Sequence, residues 1–235
     1  GWANFLELYG QLPGAFVGFL GGSALLALYK VEKSFKSVSG VIGLFILTLF
    51  TSLMFWGDVL GAQALLEKTN PIPPLGLGIL MLIIVQVILR RLPEGSLEEY
   101  KPAAKVALTL IFVAGLITVW SIKIPWGRWT YRDMLEFGDL SLFTPWYLPQ
   151  GNNGHHSFFS GHTALSFCAL PIVLLFRNNK KQYTIAWVLA LAWGVLGALS
   201  RVKIGAHFPS DVLFGGGQTI LWFWILKNKF FKIDS

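Results

Sequence analysis

An all-α bundle of six to seven membrane-spanning helices is the fold class this sequence predicts, and three observations predict it. Of 235 residues, 54% are hydrophobic and only 13% charged, against about 25% charged in a soluble domain. Apolar runs long enough to cross a bilayer, about 20 residues each, recur along the whole chain. The lysines and arginines gather in alternate connections between those runs. A mean hydropathy of +0.59 agrees, and a single integral membrane domain over 1–235 is the economical organisation.

The runs fall near 12–30, 38–57, 72–90, 103–123, 160–177, 183–202 and 209–227. The first is diluted by Gly10, Gly14, Gly18, Gly21 and Gly22, three of them at four-residue spacing, which suits a close helix-packing face. The fifth carries Pro171, which should kink it, and a bundle tolerates such a kink. Cys168 is the sole cysteine, so an intramolecular disulfide and a zinc-type cysteine cluster are excluded. Its expected role is that of a small buried apolar residue. The opening "GWANFLELYG" has neither a basic n-region nor an A-x-A-like site, so no cleavable signal is expected.

Charge orients the bundle. One set of alternate connections holds Lys30, Lys33, Lys36, Arg90, Arg91, Lys101, Lys105, Arg177, Lys180, Lys181, Lys227, Lys229 and Lys232, thirteen of the nineteen basic residues. The other side holds Lys68, Lys123, Arg128, Arg132, Arg201 and Lys203. By the positive-inside rule the first set is cytoplasmic, which puts the N-terminus outside and the C-terminus inside. The net charge of +7 therefore reports topology, and no nucleic-acid partner is expected. On the cation-poor side, five of the six basic residues crowd into 123–132 and 201–203. Charges near a span are costly, so such a cluster needs an anion.

That side also collects "KIPWGRWTYRD" (123–133), "FSGH" (159–162) and "SRVKIGAHFPSD" (200–211). Each part has a task in phosphoryl chemistry. Lys123, Arg128 and Arg201 can neutralise phosphate oxygens, the guanidiniums bidentately. Ser160, Gly161 and His162 open a helix, where backbone amides and the helix dipole favour an anion, although a plain serine N-cap is the simpler reading of that stretch. His207 and Asp211 stand four apart, with Pro209 suited to a first helical turn. The carboxylate can thus hold the imidazole tautomer and leave the other ring nitrogen for attack.

These residues resemble the type 2 phosphatidic acid phosphatase superfamily of membrane lipid phosphatases and vanadium haloperoxidases, whose signature runs K-x6-R-P, P-S-G-H, S-R-x5-H-x3-D. The third part matches in full as Ser200, Arg201, His207 and Asp211. The second matches as Ser160, Gly161 and His162, with Phe159 in place of proline. The first keeps Lys123 but has Thr130 and Tyr131 where arginine and proline are usual. Arg128 is the expected replacement, with Arg132 as the fallback. The resemblance covers about 103–228 and implies a phosphatidic-acid-phosphatase/haloperoxidase-like catalytic core within the bundle. It further implies a reaction without metal or other cofactor: His207 attacks phosphorus, Asp211 orients it, and His162 protonates the leaving alkoxide.

The implied substrate is a phospholipid, polyprenyl or lipid A phosphate such as phosphatidylglycerophosphate, phosphatidic acid or undecaprenyl pyrophosphate, with membrane lipids as the remaining partners. A bacterial cytoplasmic (inner) membrane with the site facing the periplasm or exterior is expected. Transfer of the phosphate to an alcohol, or anion binding without catalysis, fits the same residues. No spacing fits a zinc or di-iron motif. His155 and His156 are expected as solvated loop residues, the tryptophans as interfacial belts, and the long aromatic connection 133–159 as a lid or a plain connector. Oligomeric state is not legible.

Overall fold

The computed structural model describes residues 1–30, 32, 34–60, 72–93 and 95–231. Lys33, Lys68 and Lys232, three of the cations that orient the bundle, lie outside the described residues. Helix α1 (Trp2–Tyr9) leads into α2 (Leu12–Leu28), followed by α3 (Phe35–Val59) and α4 (Ile72–Leu89). Then α5 (Lys101–Leu110) runs through a π-helical stretch, Ile111–Thr118, into α6 (Val119–Trp126). The short α7 (Tyr131–Phe137) precedes α8 (Gly161–Phe167), which continues as a 3₁₀ helix, Leu170–Phe176. Helices α9 (Lys180–Lys203) and α10 (Pro209–Phe230) close the bundle. Among the described residues there is no strand.

Among the described residues five stretches are long and apolar enough to cross a membrane: Trp2–Leu28, Phe35–Val59, Ile72–Leu89, Glu98–Phe137 and Lys180–Lys203. Their outer faces are equally apolar. Ile42, Phe45 and Ile46 of α3 and Leu80, Ile83, Ile84 and Ile88 of α4 are all exposed, a surface far larger than soluble monomers show to water. The chain is a helical membrane protein. Gly161–Phe176 is a shorter apolar helix, and its expected kink takes the form of a change from α to 3₁₀ geometry around Pro171.

The core joins α5, the π stretch, α8 and α10 through Val106, Leu110, Ile111, Leu165, Val173 and Phe223. Cys168 is buried among them. The glycines of α2 form the packing face expected of them. A side chain at Gly14 would collide with the Leu165 carbonyl, one at Gly21 with Ala104, and one at Gly22 with Thr48. Polar bonds add to this packing: Gln86 donates to the Ser23 carbonyl at 2.8 Å and Ser52 to that of Gly78 at 3.2 Å.

Two features exceed what periodicity shows. Helix α1 is too short to read as a span, yet it buries Ala3 and Leu6 against the bundle. The π stretch widens the helix below Lys123. There the Gln218 amide reaches in from α10 to the Ala114 carbonyl at 3.1 Å, and Thr118 donates to the Val113 carbonyl at 2.7 Å.

Candidate active site

One end of the bundle collects the chemistry. Helix α6 places Lys123 in its last turn and stops at Gly127, whose φ of +60° is left-handed and whose absent side chain makes room for the Gly151 carbonyl. The sharp exit delivers Arg128 inward, where it is buried. Helix α8 begins at Ser160, whose hydroxyl accepts the Thr163 amide at 3.3 Å. That N-cap explains the serine locally. The Ser160 amide donates to the Asp211 carbonyl at 3.0 Å, locking α8 onto α10. Gly161 opens the helix with its Cα beside Val119 and the Lys123 stem. Helix α9 carries Arg201 in its last turn, and the turn that follows is held by the Ala206 and His207 amides, both donating to the Arg201 carbonyl.

Asp211 is fully buried at the start of α10 and is held on both oxygens. Oδ1 accepts from Arg128 Nη1 at 2.5 Å. Oδ2 accepts from the Ser157 hydroxyl at 2.5 Å and from the Phe208 amide at 2.9 Å. His207 Nδ1 faces Oδ2 at 3.6 Å and Ser157 Oγ at 3.5 Å, lengths that commonly shorten when substrate binds. The remaining contacts of Arg128 lie on the same side: Nη1 donates to Ser210 and Nε to the Thr144 carbonyl, both at 2.9 Å. Its guanidinium is stacked 4.3 Å from the Phe208 ring and 5.5 Å from that of Phe143.

Arg201 is also buried, but differently satisfied. Its Nε and Nη1 find no hydrogen-bond partner among the described residues. The nearest carboxylate is that of Glu7 on α1, with Oε1 at 3.5 Å from Nη1, longer than a charge-assisted hydrogen bond. The same Glu7 oxygen lies 3.3 Å from Arg132 Nη1. Lys123 Nζ donates to the His156 carbonyl at 2.6 Å. His162 opens its helix next to Gly161, which lies beside the Lys123 stem, and the positive charges of Arg201, Lys123 and Arg132 all reach its ring. Burial pushes His207 from its usual 6.5 down to about 4, and Lys123 and Arg201 add to this against the pull of Asp211. The imidazole is thus neutral at pH 7.

Lys123, His162, Arg201, His207 and Arg132 are therefore brought together, while Arg128 is seated on Asp211. Thr130 caps α7 by accepting the Asp133 amide at 3.0 Å. The residue standing where the signature has arginine thus does a helix-start job. The "T-Y-R-D" spacing of a cap was there to be read. Ser157, Ser210 and Glu7 were missed in the sequence. The only signal for Glu7 was that it is the lone carboxylate of the first 31 residues.

His155 and His156 are half-buried loop residues that also pack on rings: His155 stacks on Trp129 at 3.4 Å and His156 lies edge-on to Trp120 of α6 at 6.0 Å. The connection 133–159 packs on the start of α10, with Trp146 against Phe214 and Phe143 against Phe208. Among the described residues no three His, Cys, Asp or Glu side chains cluster as a metal site would require.

A family model described as the PAP2 superfamily matches residues 102–234. Phosphatidylglycerophosphatase B of Bacillus subtilis is 34% identical over 93 residues, 36% of this chain and 44% of that protein. Lipid A 4'-phosphatase of Francisella tularensis subsp. novicida is 26% identical over 152 residues, 62% of this chain and 68% of that protein. Undecaprenyl-diphosphatase of Sulfolobus acidocaldarius is 28% identical over 116 residues, 49% of this chain and 51% of that protein. The chain thus spans between under half and about two thirds of these relatives. No solved structure matches it.

Proposed function

The chain belongs to the PAP2 superfamily, and from that premise we propose that it is a membrane lipid phosphate phosphatase working through a phosphohistidine. The substrate is a phosphomonoester or diphosphate headgroup, the class named in the relatives described above. The observation that carries this reading is the buried Arg201 guanidinium with two unmet N–H donors, in one site with a neutral histidine held against a carboxylate. Two such donors fit phosphate oxygens.

In this mechanism Lys123 and Arg201 bind the phosphoryl oxygens, with the first-turn amides of Gly161 and His162 beside them. Ser160 contributes by capping that turn. His207 Nε2 attacks phosphorus while Nδ1 stays on Asp211. The phosphorus–oxygen bond to the lipid breaks, and His162 gives its proton to the departing alkoxide. Water then gives a proton back to His162 as it attacks the phosphohistidine, the phosphorus–nitrogen bond breaks, and release of inorganic phosphate restores both histidines. Preorganised cations take the developing charge. Orientation follows the cation distribution: seven crossings, N-terminus outside, and the site at the outer face of a bacterial inner membrane.

The test is acid quench after mixing with radiolabelled lipid phosphate. Label is expected on His207 and not on His162. His207→Ala should abolish turnover of every substrate. His162→Ala should slow lipid alkoxide release by about 10²-fold or more, yet spare p-nitrophenyl phosphate, whose leaving group needs no proton. Label on His162, or undiminished turnover in His207→Ala, overturns the mechanism.

A further inference from the structure

The departure at Thr130 leaves open which side chain is the second guanidinium of the phosphate cradle. Building on the phosphatase reading, we infer that Arg132 supplies it and that Glu7 is the resident counter-ion which the substrate's phosphate displaces. Arg128 is committed elsewhere: every hydrogen bond recorded for its guanidinium goes to Asp211, Ser210 or the Thr144 carbonyl. Arg132, by contrast, is built onto the site. Its helix is started by the Thr130 cap, and its own amide donates to the Gly205 carbonyl at 2.9 Å. Gly205 lies in the turn that joins Arg201 to His207.

The second observation is where the two guanidiniums meet. Arg132 Nη1 and Arg201 Nη1 approach the same Glu7 oxygen, at 3.3 and 3.5 Å. An anionic oxygen shared by arginines from two different elements stands where one phosphate oxygen would stand. Glu7 fills the place incompletely, since Arg201 Nε and Nη1 remain without hydrogen bonds. A tetrahedral dianion brings more oxygens and more charge to the same donors. The contact is also exchangeable. The Arg132 side chain is 53% exposed and that of Glu7 26%, and ion pairs open to solvent hold weakly.

Helix α1 does not depend on that contact for its seat. The Gly10 carbonyl just beyond α1 accepts from Trp193 Nε1 at 2.8 Å and from Ser166 Oγ at 3.0 Å. At the other end the Trp2 ring lies 4.9 Å from Lys203 Nζ. Substituting Glu7 therefore tests the anion site and not the fold of α1.

The experiment is equilibrium binding of radiolabelled inorganic phosphate to the full chain in phosphatidylcholine nanodiscs, with lipid phosphate hydrolysis measured on the same samples. Glu7→Gln, which removes the competing charge and keeps the shape, should tighten phosphate binding about threefold or more. Arg132→Ala should weaken it about tenfold or more, with Arg132→Lys restoring part of the loss. Arg128→Lys should leave phosphate binding within about twofold while lowering turnover, because it disturbs Asp211 and not the cradle. Weaker binding in Glu7→Gln, as expected of a mere brace between two arginines, overturns the inference. So does unchanged binding in Arg132→Ala. Binding does not require turnover, so this pattern in a protein that hydrolyses no lipid phosphate would sink the phosphatase reading alone.

Discussion

Asp211 and Arg201 are both buried at the same site, yet their hydrogen bonding is opposite, and this difference separates positioning from binding. Arg128, Ser157 and the Phe208 amide all donate to Asp211, which fixes the carboxylate behind His207. Among the described residues Arg201 Nε and Nη1 make no hydrogen bond, Nη1 having only the 3.5 Å ion pair with Glu7, and donors so placed favour a better-fitting anion. His207 lies beside Asp211, with its backbone amide on the Arg201 carbonyl, and is held down to about 4 chiefly by burial. Its attacking form is the neutral one, so the rate of attack should fall as pH drops through that value. With p-nitrophenyl phosphate, the acid limb of kcat/KM is expected near pH 4 and not near the ordinary 6.5. A midpoint at 6 to 7 in the pH profile would mean that another group, or a solvated His207, limits attack. The residues of this network were only partly legible. His207 and Asp211 announce themselves by spacing, but Ser157 reaches Asp211 across 54 positions, and no local pattern encodes that pairing.

At the scale of elements, the connection between α6 and α8 is what brings Arg128, Arg132 and Ser157 to the site. Its start depends on Gly127. The residue has φ +60°, and an added Cβ would strike the Gly151 carbonyl and crowd the Asn153 side chain, whose amide donates to the Gly127 carbonyl at 2.7 Å. Gly127→Ala should therefore displace the loop as well as strain the backbone. The expected result is loss of turnover by at least about tenfold, accompanied by faster protease cleavage between 138 and 155, because strain at such a position persists only when the surroundings hold it. Full activity with an unchanged cleavage pattern would show that the loop tolerates the shift. The helix starts along this route were readable from residue types, as Ser160 and Thr130 both cap the helix that follows them. The π stretch was not, since its opening at Ala114 is sustained by Gln218 from another helix.

For the molecule as a whole, the distribution of cations predicts that the site faces outward, and labelling in intact cells measures it. A membrane-impermeant thiol reagent should modify a cysteine placed at Gly151, beside the site, and should miss one placed at Asn179 at the start of α9. Background is low because Cys168 is buried. The reverse pattern would turn the bundle over and move the substrate to the inner leaflet. The apolar outer faces of α3 and α4 fix that the bundle lies in lipid, but they are symmetric between the two sides. Only the loop charges distinguish them.

Composition and periodicity by themselves determined the all-helical membrane architecture, the approximate limits of the apolar helices and the packing role of the glycines in α2. These properties are local: hydrophobicity, helix length and side-chain size are written at each position and need no partner to be read. Spacing along the chain likewise determined His207 with Asp211 one helical turn apart. Which arginine serves which anion was decided only by the tertiary structure. Arg128 and Arg132 are four residues apart on one short segment, but the turn at Gly127 and the cap at Thr130 send one guanidinium under Asp211 and the other to the mouth beside Glu7. Long-range electrostatics assigns a charge to its partner by distance in space, and the distances that matter here are set by residues 83 and 125 positions away.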